Sequence, residues 1–404
     1  MARSAAPRSV TSAAEGASDL NHLLRPLHWT ATLRHPRSAA TSPLIFRLCK
    51  IVITCIIFSF FCSEATVLYR VGTGDLDIFT ITIGVADTNF IWCCRMLHIS
   101  VCERAFHKLS LQVGQDFAEF LTCEDIPVLR AQSLVVRRFT QMYVWWGVGC
   151  VVYYLFSPAS DAGLPVILAL PYDMNQPLTY AVTWLYVAIA TFHVQVMTMV
   201  FDSFNVSIMA QLRTQLTLLS NKVVVLAKEI SEKPVHSAET TAYRELHCRL
   251  EKCVRHHQAI IKNSDLLEKT IGPMLLAQCL AIGTCACFQM FQVATNTNGL
   301  QETGKYGAHL VVMLAELFEY CWFGEGLITE SENLALAAYD AVTSLEDCPI
   351  SIKRSLLLML QRAQRPLCIT AGGFFPLTRE SFVSVVNVSY SFFAILRNFK
   401  NEEE

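Results

Sequence analysis

The chain has 404 residues, 53% of them hydrophobic and only 16% charged, with a mean hydropathy of +0.38 and a net charge of −2. Soluble domains carry about 25% charged residues, so this balance excludes one large soluble core, and the near-neutral charge gives a nucleic-acid partner no support. The charges gather between long uncharged stretches, the distribution expected of a protein embedded in a lipid bilayer.

Residues 1–43 are rich in Ala, Ser and Arg and hold only Glu15 and Asp19 as acids, a composition shared with transit peptides. Pro7, Pro26 and Pro36 interrupt any long amphipathic helix, and no apolar core follows the first arginines. The segment therefore reads as a cytoplasmic arm, and the first apolar stretch as both signal and anchor. A helix needs about 20 mostly apolar residues to cross the hydrocarbon layer. Residues 44–68 begin with Arg47 and Lys50, which can snorkel to the interface, and carry Glu64 near their far end. Residues 78–94 hold one acid, Asp87, while 139–156, 178–201 and 271–293 contain no Asp, Glu, Lys or Arg. Residues 306–329 are apolar apart from Glu316, Glu319 and Glu325, and 381–396 are short but uncharged. Seven spans follow: four within 44–201, two within 271–329, and a seventh within 379–400 before an extracellular tail at 401–404.

The connections carry their own patterns. Within 202–270, Leu212, Leu216, Leu219, Val223, Leu226 and Ile230 recur at spacings of three and four, one face of a helix that Pro234 ends. Leu246, Leu250, Cys253, His257 and Ile260 repeat the pattern. Both read as cytoplasmic extensions of the fourth and fifth spans. Within 330–378, residues 352–367 form a further amphipathic stretch, so a cytoplasmic helical layer is expected beneath the bilayer. His247, Cys248, Cys253, His256 and His257 are potential zinc ligands, but their spacing matches no closed tetrahedral set and they read as a partly buried helix face. Neither a metal nor a cofactor is expected. The cysteines lie in apolar segments, where they act as small hydrophobes, or in segments assigned to the reducing cytosol, so no extracellular disulfide framework is expected.

Basic residues set the direction. Arg25, Arg34, Arg104, Lys108, Arg130, Arg137 and Arg138, those between 213 and 269, and those between 353 and 365 fall on one side. Only Arg70, Lys305, Arg397 and Lys400 fall on the other. The amino terminus is therefore placed in the cytoplasm and the carboxyl terminus outside. That is the reverse of a G-protein-coupled receptor, whose Asp-Arg-Tyr and Asn-Pro-x-x-Tyr motifs are also missing. No Gly-rich phosphate loop, His-Glu-x-x-His motif or nucleophile with a base supports an enzyme.

Within 320–339, Tyr320-Cys-Trp-Phe-Gly-Glu-Gly-Leu-Ile is followed by Ser331-Glu-Asn-Leu and Ala337-Ala-Tyr339. Ser389-Tyr390-Ser391-Phe392-Phe393 lies near the carboxyl end, Arg255-His-His-Gln258 precedes the fifth span, and Leu170-Pro171-Tyr172 with Trp184 marks the fourth. In this order the elements resemble the insect odorant receptors. Residues 1–40 match that pattern poorly, and Asp340 stands where the family usually has Trp. The resemblance implies an all-α polytopic membrane protein with seven transmembrane helices and a cytoplasmic anchor layer. It also implies a ligand-gated, non-selective cation channel, in which a tuning subunit forms a heterotetramer with an odorant coreceptor subunit in the plasma membrane of sensory neurons. Because 202–270 lacks the long insertion of the coreceptor, the chain resembles the tuning subunit. A gustatory-type channel and a transporter are the competing readings. The first would end in a Thr-Tyr plus Gln-Phe signature and the second would show repeated halves, and neither is seen.

Candidate site residues follow from depth and residue type. Trp145, Trp146, Tyr153 and Tyr154 crowd the third span, as a pocket wall or as an interfacial aromatic belt. A small volatile organic ligand is expected in the outer half of the bundle, against Phe79, Ile83, Trp146, Gly149, Tyr153, Val187 and Phe291, where no acidic or basic residue converges. Glu316, Glu319 and Asp87 read as hydrogen-bonded packing positions ahead of a cation-attracting surface. The seventh span mixes serines and Asn387 into an apolar helix, and its spacing puts Phe382, Val386, Ser389, Phe393 and Leu396 on one stripe. Val386, Ser389, Phe393 and Leu396 are the candidate pore residues, with Phe393 at the gate position that the resemblance implies. Packing of Phe393 on the fifth span is the competing reading.

Overall fold

The computed structural model describes residues 21–34, 43–72, 74–157, 163–232, 241–296, 299–343 and 349–403. Glu15, Asp19, Pro7, Pro36, Pro234 and Cys348 lie outside the described residues. Ten helices occur among the described residues. They are α1 (Asn21–Trp29), α2 (Pro43–Val71), α3 (Leu76–Val101), α4 (Glu103–Ala118), α5 (Asp125–Leu155), α6 (Pro177–Glu232), α7 (Thr241–Thr295), α8 (Leu300–Thr343), α9 (Ile350–Ala363) and α10 (Arg379–Glu403). The seven apolar stretches read from the sequence fall on α2, α3, α5, α6, α7, α8 and α10. By length and composition alone, five of these are apolar enough to cross a membrane: α2, α3, α6, α7 and α10. The aromatic residues of α5 and the three glutamates of α8 lower their averages.

The helices outrun the apolar stretches. α6 continues without a break past Phe201, and α7 begins far ahead of Ile271, so the two extensions form one antiparallel pair with the second half of α8. Here burial separates the two faces of each helix. Leu212, Leu216, Leu219, Val223, Leu226 and Ile230 are all buried, as are Leu246, Leu250, Cys253 and Ile260. Leu334 and Ala341 of α8 and Ile352, Leu356 and Met359 of α9 complete this core. His256 stacks on Phe120 at 4.9 Å and pairs its Nε2 with Gln215 at 2.9 Å. Arg249 and Glu229 tie the two extensions at their far ends.

Within the bilayer-sized part the pattern reverses, and large apolar side chains stay exposed. On α2 these are Leu44, Ile45, Leu48, Ile51, Val52 and Phe58. A contiguous apolar surface of that kind needs lipid to cover it.

Three features were not foreseen. α4 packs beneath α7 as a connecting helix between the second and third spans. α1 forms despite Pro26 and buries Leu23, Leu24 and Leu27 against α6. A two-residue hairpin, β1 (Thr370–Ala371) with β2 (Phe375–Pro376), joins α9 to α10. Its turn uses Gly372 and Gly373 at φ of 60° and 80°, which only glycine adopts freely. Glu268 of α7 holds the hairpin through the Thr370 amide and hydroxyl. Gly324 of α8 lets the chain enter α10 closely: a Cβ there would lie 2.5 Å from the Leu377 carbonyl oxygen.

Candidate ligand cavity and pore helix

A partly open cavity of about 50 Å3 lies where α5 ends and α3, α6 and α8 begin. α2 and α3 contribute Phe60, Val85, Thr88 and Asn89; α5 contributes Cys150, Val151 and Tyr154. Thr191, Val194 and Gln195 come from α6, and Lys305, His309 and Val312 from α8. The wall is mainly apolar with a few convergent polar groups, the make-up of a small-molecule site. α5 approaches α6 closely through Gly147, where an added Cβ would overlap Met199. Behind the wall, Phe60, Val166, Val187 and Ala190 form a compact apolar cluster.

Charge enters this region. Lys305 is 1% exposed; its ammonium donates to the carbonyls of Ser157 (2.9 Å) and Pro165 (2.5 Å) and sits 4.1 Å from the centre of the Tyr154 ring. Asn89 donates to the buried Glu64 carboxylate at 2.9 Å. The expectation that no acidic or basic residue converges here is therefore corrected. α8 starts at Leu300, so Lys305 enters the bundle on its second turn instead of staying at the surface.

Below the cavity, Arg95 of α3 meets Asp202 of α6 and Glu316 of α8, each at 3.4 Å. Tyr320 donates to Asp202 at 2.8 Å and accepts from Asn205 at 3.0 Å, and Gln278 of α7 donates to Glu316. Glu316 is thus a packing position satisfied by protein. Asp87 accepts from Thr284 at 3.0 Å. Neither carboxylate oxygen of the buried Glu319 has a hydrogen-bond partner among the described residues.

α10 lies against α7. Ser389 donates to the Gly283 carbonyl at 2.9 Å, and Phe393 is buried with Cys287 and Phe291. Val386 and Leu396 are half-buried, while Ser384, Asn387, Val388, Ser391, Phe392 and Ile395 face outward. An open apolar groove of about 850 Å3 runs along this side of α7 and α10. Ion pairs sit at both ends of α10. Lys400 bonds both oxygens of Asp77 on α3 at 2.8 and 2.9 Å, and Arg379 pairs with Glu325 on α8 at 2.6 Å.

The family model described as 7tm Odorant receptor matches residues 111–390, more than half of the chain. The chain belongs to the odorant receptor family. Odorant receptor Or2 of Anopheles gambiae is 27% identical over 315 residues, covering 76% of this chain and 81% of that protein. Odorant receptor 10 of Aedes albopictus is 29% identical over 252 residues, covering 62% and 64%. The solved olfactory receptor OR5 of Machilis hrabei superimposes with a TM-score of 0.80 over 93% of this chain and 97% of that one, at 13% identity. Its complex with eugenol superimposes with a TM-score of 0.81 over 97% and 99%. The fold of this odorant receptor is accordingly all-α with seven spans, and it is a membrane receptor, not an enzyme.

In this odorant receptor the residues picked from sequence do not line the cavity. Trp146 is 57% exposed on the outer surface of α5, and Gly149 has nothing within 4 Å of an added Cβ. Tyr153 is spent on the Gln301 carbonyl at 2.9 Å. The inward stripe is Tyr143, Gly147, Cys150, Val151 and Tyr154, displaced by one residue, or about 100° of helix, from the one chosen. On α3, Phe79 packs edge-on to Phe288 and Ile83 is half-buried, whereas Val85, Thr88 and Asn89 reach the cavity. Val187 is fully buried one layer behind the wall. Phe291 supports α10 and lies 5.6 Å beneath the Lys400 ammonium.

Proposed function

We propose that this odorant receptor is a tuning subunit. It binds a small volatile organic molecule in the cavity between α2, α3, α5, α6 and α8, and gates a non-selective cation channel in a heterotetramer with an odorant coreceptor subunit. The observation that carries the reading is the cavity itself: partly open, mainly apolar, and walled by five spans. The eugenol complex of the structurally similar Machilis hrabei receptor supports a small organic ligand. At about 50 Å3 the space is far below the ~300–1,000 Å3 of typical ligand pockets. A ligand therefore favours a state in which the walls have moved apart, and that differential affinity is the source of gating energy.

The pore helix is α10, with its groove side and its Ser384, Asn387 and Ser391 side chains available to neighbouring subunits and water. Phe393 and Ser389 act from behind, holding α10 on α7, while Val386 and Leu396 border the free face. The basic-residue asymmetry supports an amino terminus in the cytoplasm and a carboxyl terminus outside, and family membership supports the plasma membrane of a sensory neuron as the location.

Co-expression with and without a coreceptor, with currents recorded across an odorant panel, tests this. Ligand-evoked cation current is expected only in the heteromer. Val312→Trp, which fills the cavity, should remove the response while leaving surface protein intact. An unchanged response in that variant would move the ligand site elsewhere.

A further inference from the structure

The cavity wall divides its polar groups into two kinds. Three side chains are committed: Thr88 donates to the Gly84 carbonyl at 3.1 Å, Asn89 to Glu64, and Lys305 to Ser157 and Pro165. Two are not. Thr191 Oγ1 and His309 Nδ1 are buried atoms without a hydrogen-bond partner among the described residues, and both residues line the cavity. Within its own helix Thr191 shares an open hydroxyl with Ser203, which does not line the cavity. Thr183, Ser207 and Thr214 of α6 all return their hydroxyls to the carbonyl four residues back, at 2.7–2.8 Å. Thr191 leaves its hydroxyl open.

We propose that this pair selects ligands carrying a hydroxyl group, an uncharged alcohol or phenol with an otherwise apolar body, bridged between Thr191 of α6 and His309 of α8. The inference rests on the reading of this cavity as the odorant site. A neutral imidazole offers either a lone pair or an N–H at Nδ1. A hydroxyl donates and accepts, so it satisfies His309 in either tautomer and Thr191 at the same time. An ether or ketone only accepts. A carboxylate finds the Lys305 ammonium already bonded to two carbonyls and has Glu64 behind Asn89, and an amine would meet Lys305 as a like charge. Because the two groups stand on different helices, a bridging hydroxyl also ties α6 to α8 in the liganded state.

The test uses the heteromer with the coreceptor and matched probes: benzyl alcohol, benzyl methyl ether, ethylbenzene and benzoic acid, with hexanol, hexyl methyl ether and hexanoic acid as an aliphatic set. The alcohols should act, as agonists or as blockers, at concentrations about tenfold below their ethers, the effect of one to two net hydrogen bonds. Thr191→Val and His309→Phe should each cut that ratio below about threefold while leaving the ether response in place. Ethers, hydrocarbons or acids that match or outdo the alcohols would overturn the proposal, as would a ratio that survives both substitutions. Val312→Trp separates this from failure of the site. If it removes ether and hydrocarbon responses while the alcohol preference is absent, only the hydroxyl inference falls. If it leaves every response unchanged, the cavity is not the ligand site and both fall.

Discussion

Replacing Arg95 with Met tests the buried charge count directly. Arg95 is 3% exposed and meets Asp202, which is 0% exposed, and Glu316, which is 4% exposed. One guanidinium thus serves two carboxylates; Tyr320 donates to Asp202 and Gln278 to Glu316, while Arg95 Nε has no hydrogen-bond partner among the described residues. Arg95→Met keeps the volume but leaves two adjacent carboxylates without a cation, in a site with no water access. Breaking a buried pair by removing one partner costs ~3–5 kcal/mol, on the order of 10²–10⁴-fold in the folded-to-unfolded ratio. Glu316→Gln works the other way. It leaves a one-to-one Arg95–Asp202 pair, and the amide oxygen can still accept from Arg95 and Gln278, so its cost should stay below ~1 kcal/mol. Surface labelling and thermal unfolding of the detergent-solubilised protein would measure both. Arg95→Met should lose most surface protein and melt well below wild type, with Glu316→Gln close to wild type. Equal losses for the two variants would refute the reasoning, since the sign of the remaining charge would then be irrelevant.

The contact between Lys400 and Asp77 should hold α10 in its resting position. Both groups are partly exposed, so the pair is worth at most ~1 kcal/mol, and Lys400→Glu should raise current without ligand by up to about fivefold; the reversed double variant Lys400→Glu with Asp77→Lys should bring it back, and no recovery would count against the pair. His256 makes the helical layer built from the extensions of α6 and α7 sensitive to acid. Burial, followed by repulsion from Lys222 and His257 against a smaller attraction to Asp125, holds its pKa down at about 3 against an ordinary 6.5. A folded-state pKa below the unfolded value means the neutral ring's contribution is fully present above pH 6.5 and is lost as pH falls toward 3. Thermal stability should therefore fall between pH 7.5 and pH 5.5 by up to ~1.4 kcal/mol from this group, and His256→Gln should flatten the slope; an unchanged slope would place the titrating group elsewhere.

Legibility in the sequence tracks the solvent around each helix. The extension of α6 was readable residue by residue, because water on one side forces an apolar stripe on the other, and all six stripe residues are buried. Within the bilayer both sides of a span are apolar, so hydrophobicity no longer marks the inward face. Choosing by size favoured Trp146, and that large side chain points outward from α5. Small and polar residues mark the interior instead, as they do wherever spans approach closely or must bury a hydrogen-bonding group. On α3 the sequence Thr80, Gly84, Thr88, Trp92, Arg95, Ile99 steps by four or three throughout. Thr80, Gly84, Trp92, Arg95 and Ile99 are buried, and Thr88 lines the cavity. That stripe is present in the sequence, but it runs past Cys94, where the apolar run ends, and takes in Arg95. A stop at a basic residue beyond an apolar run is reasonable when the charge must meet water. It fails for Arg95 because its partners, 107 and 221 residues away in the chain, are invisible until the helices are assembled. Lys305 escaped for the same reason, its acceptors being backbone carbonyls of the loop that follows α5. In this fold a charge beside an apolar run is better read together with the helical phase of its polar neighbours than as the end of the run.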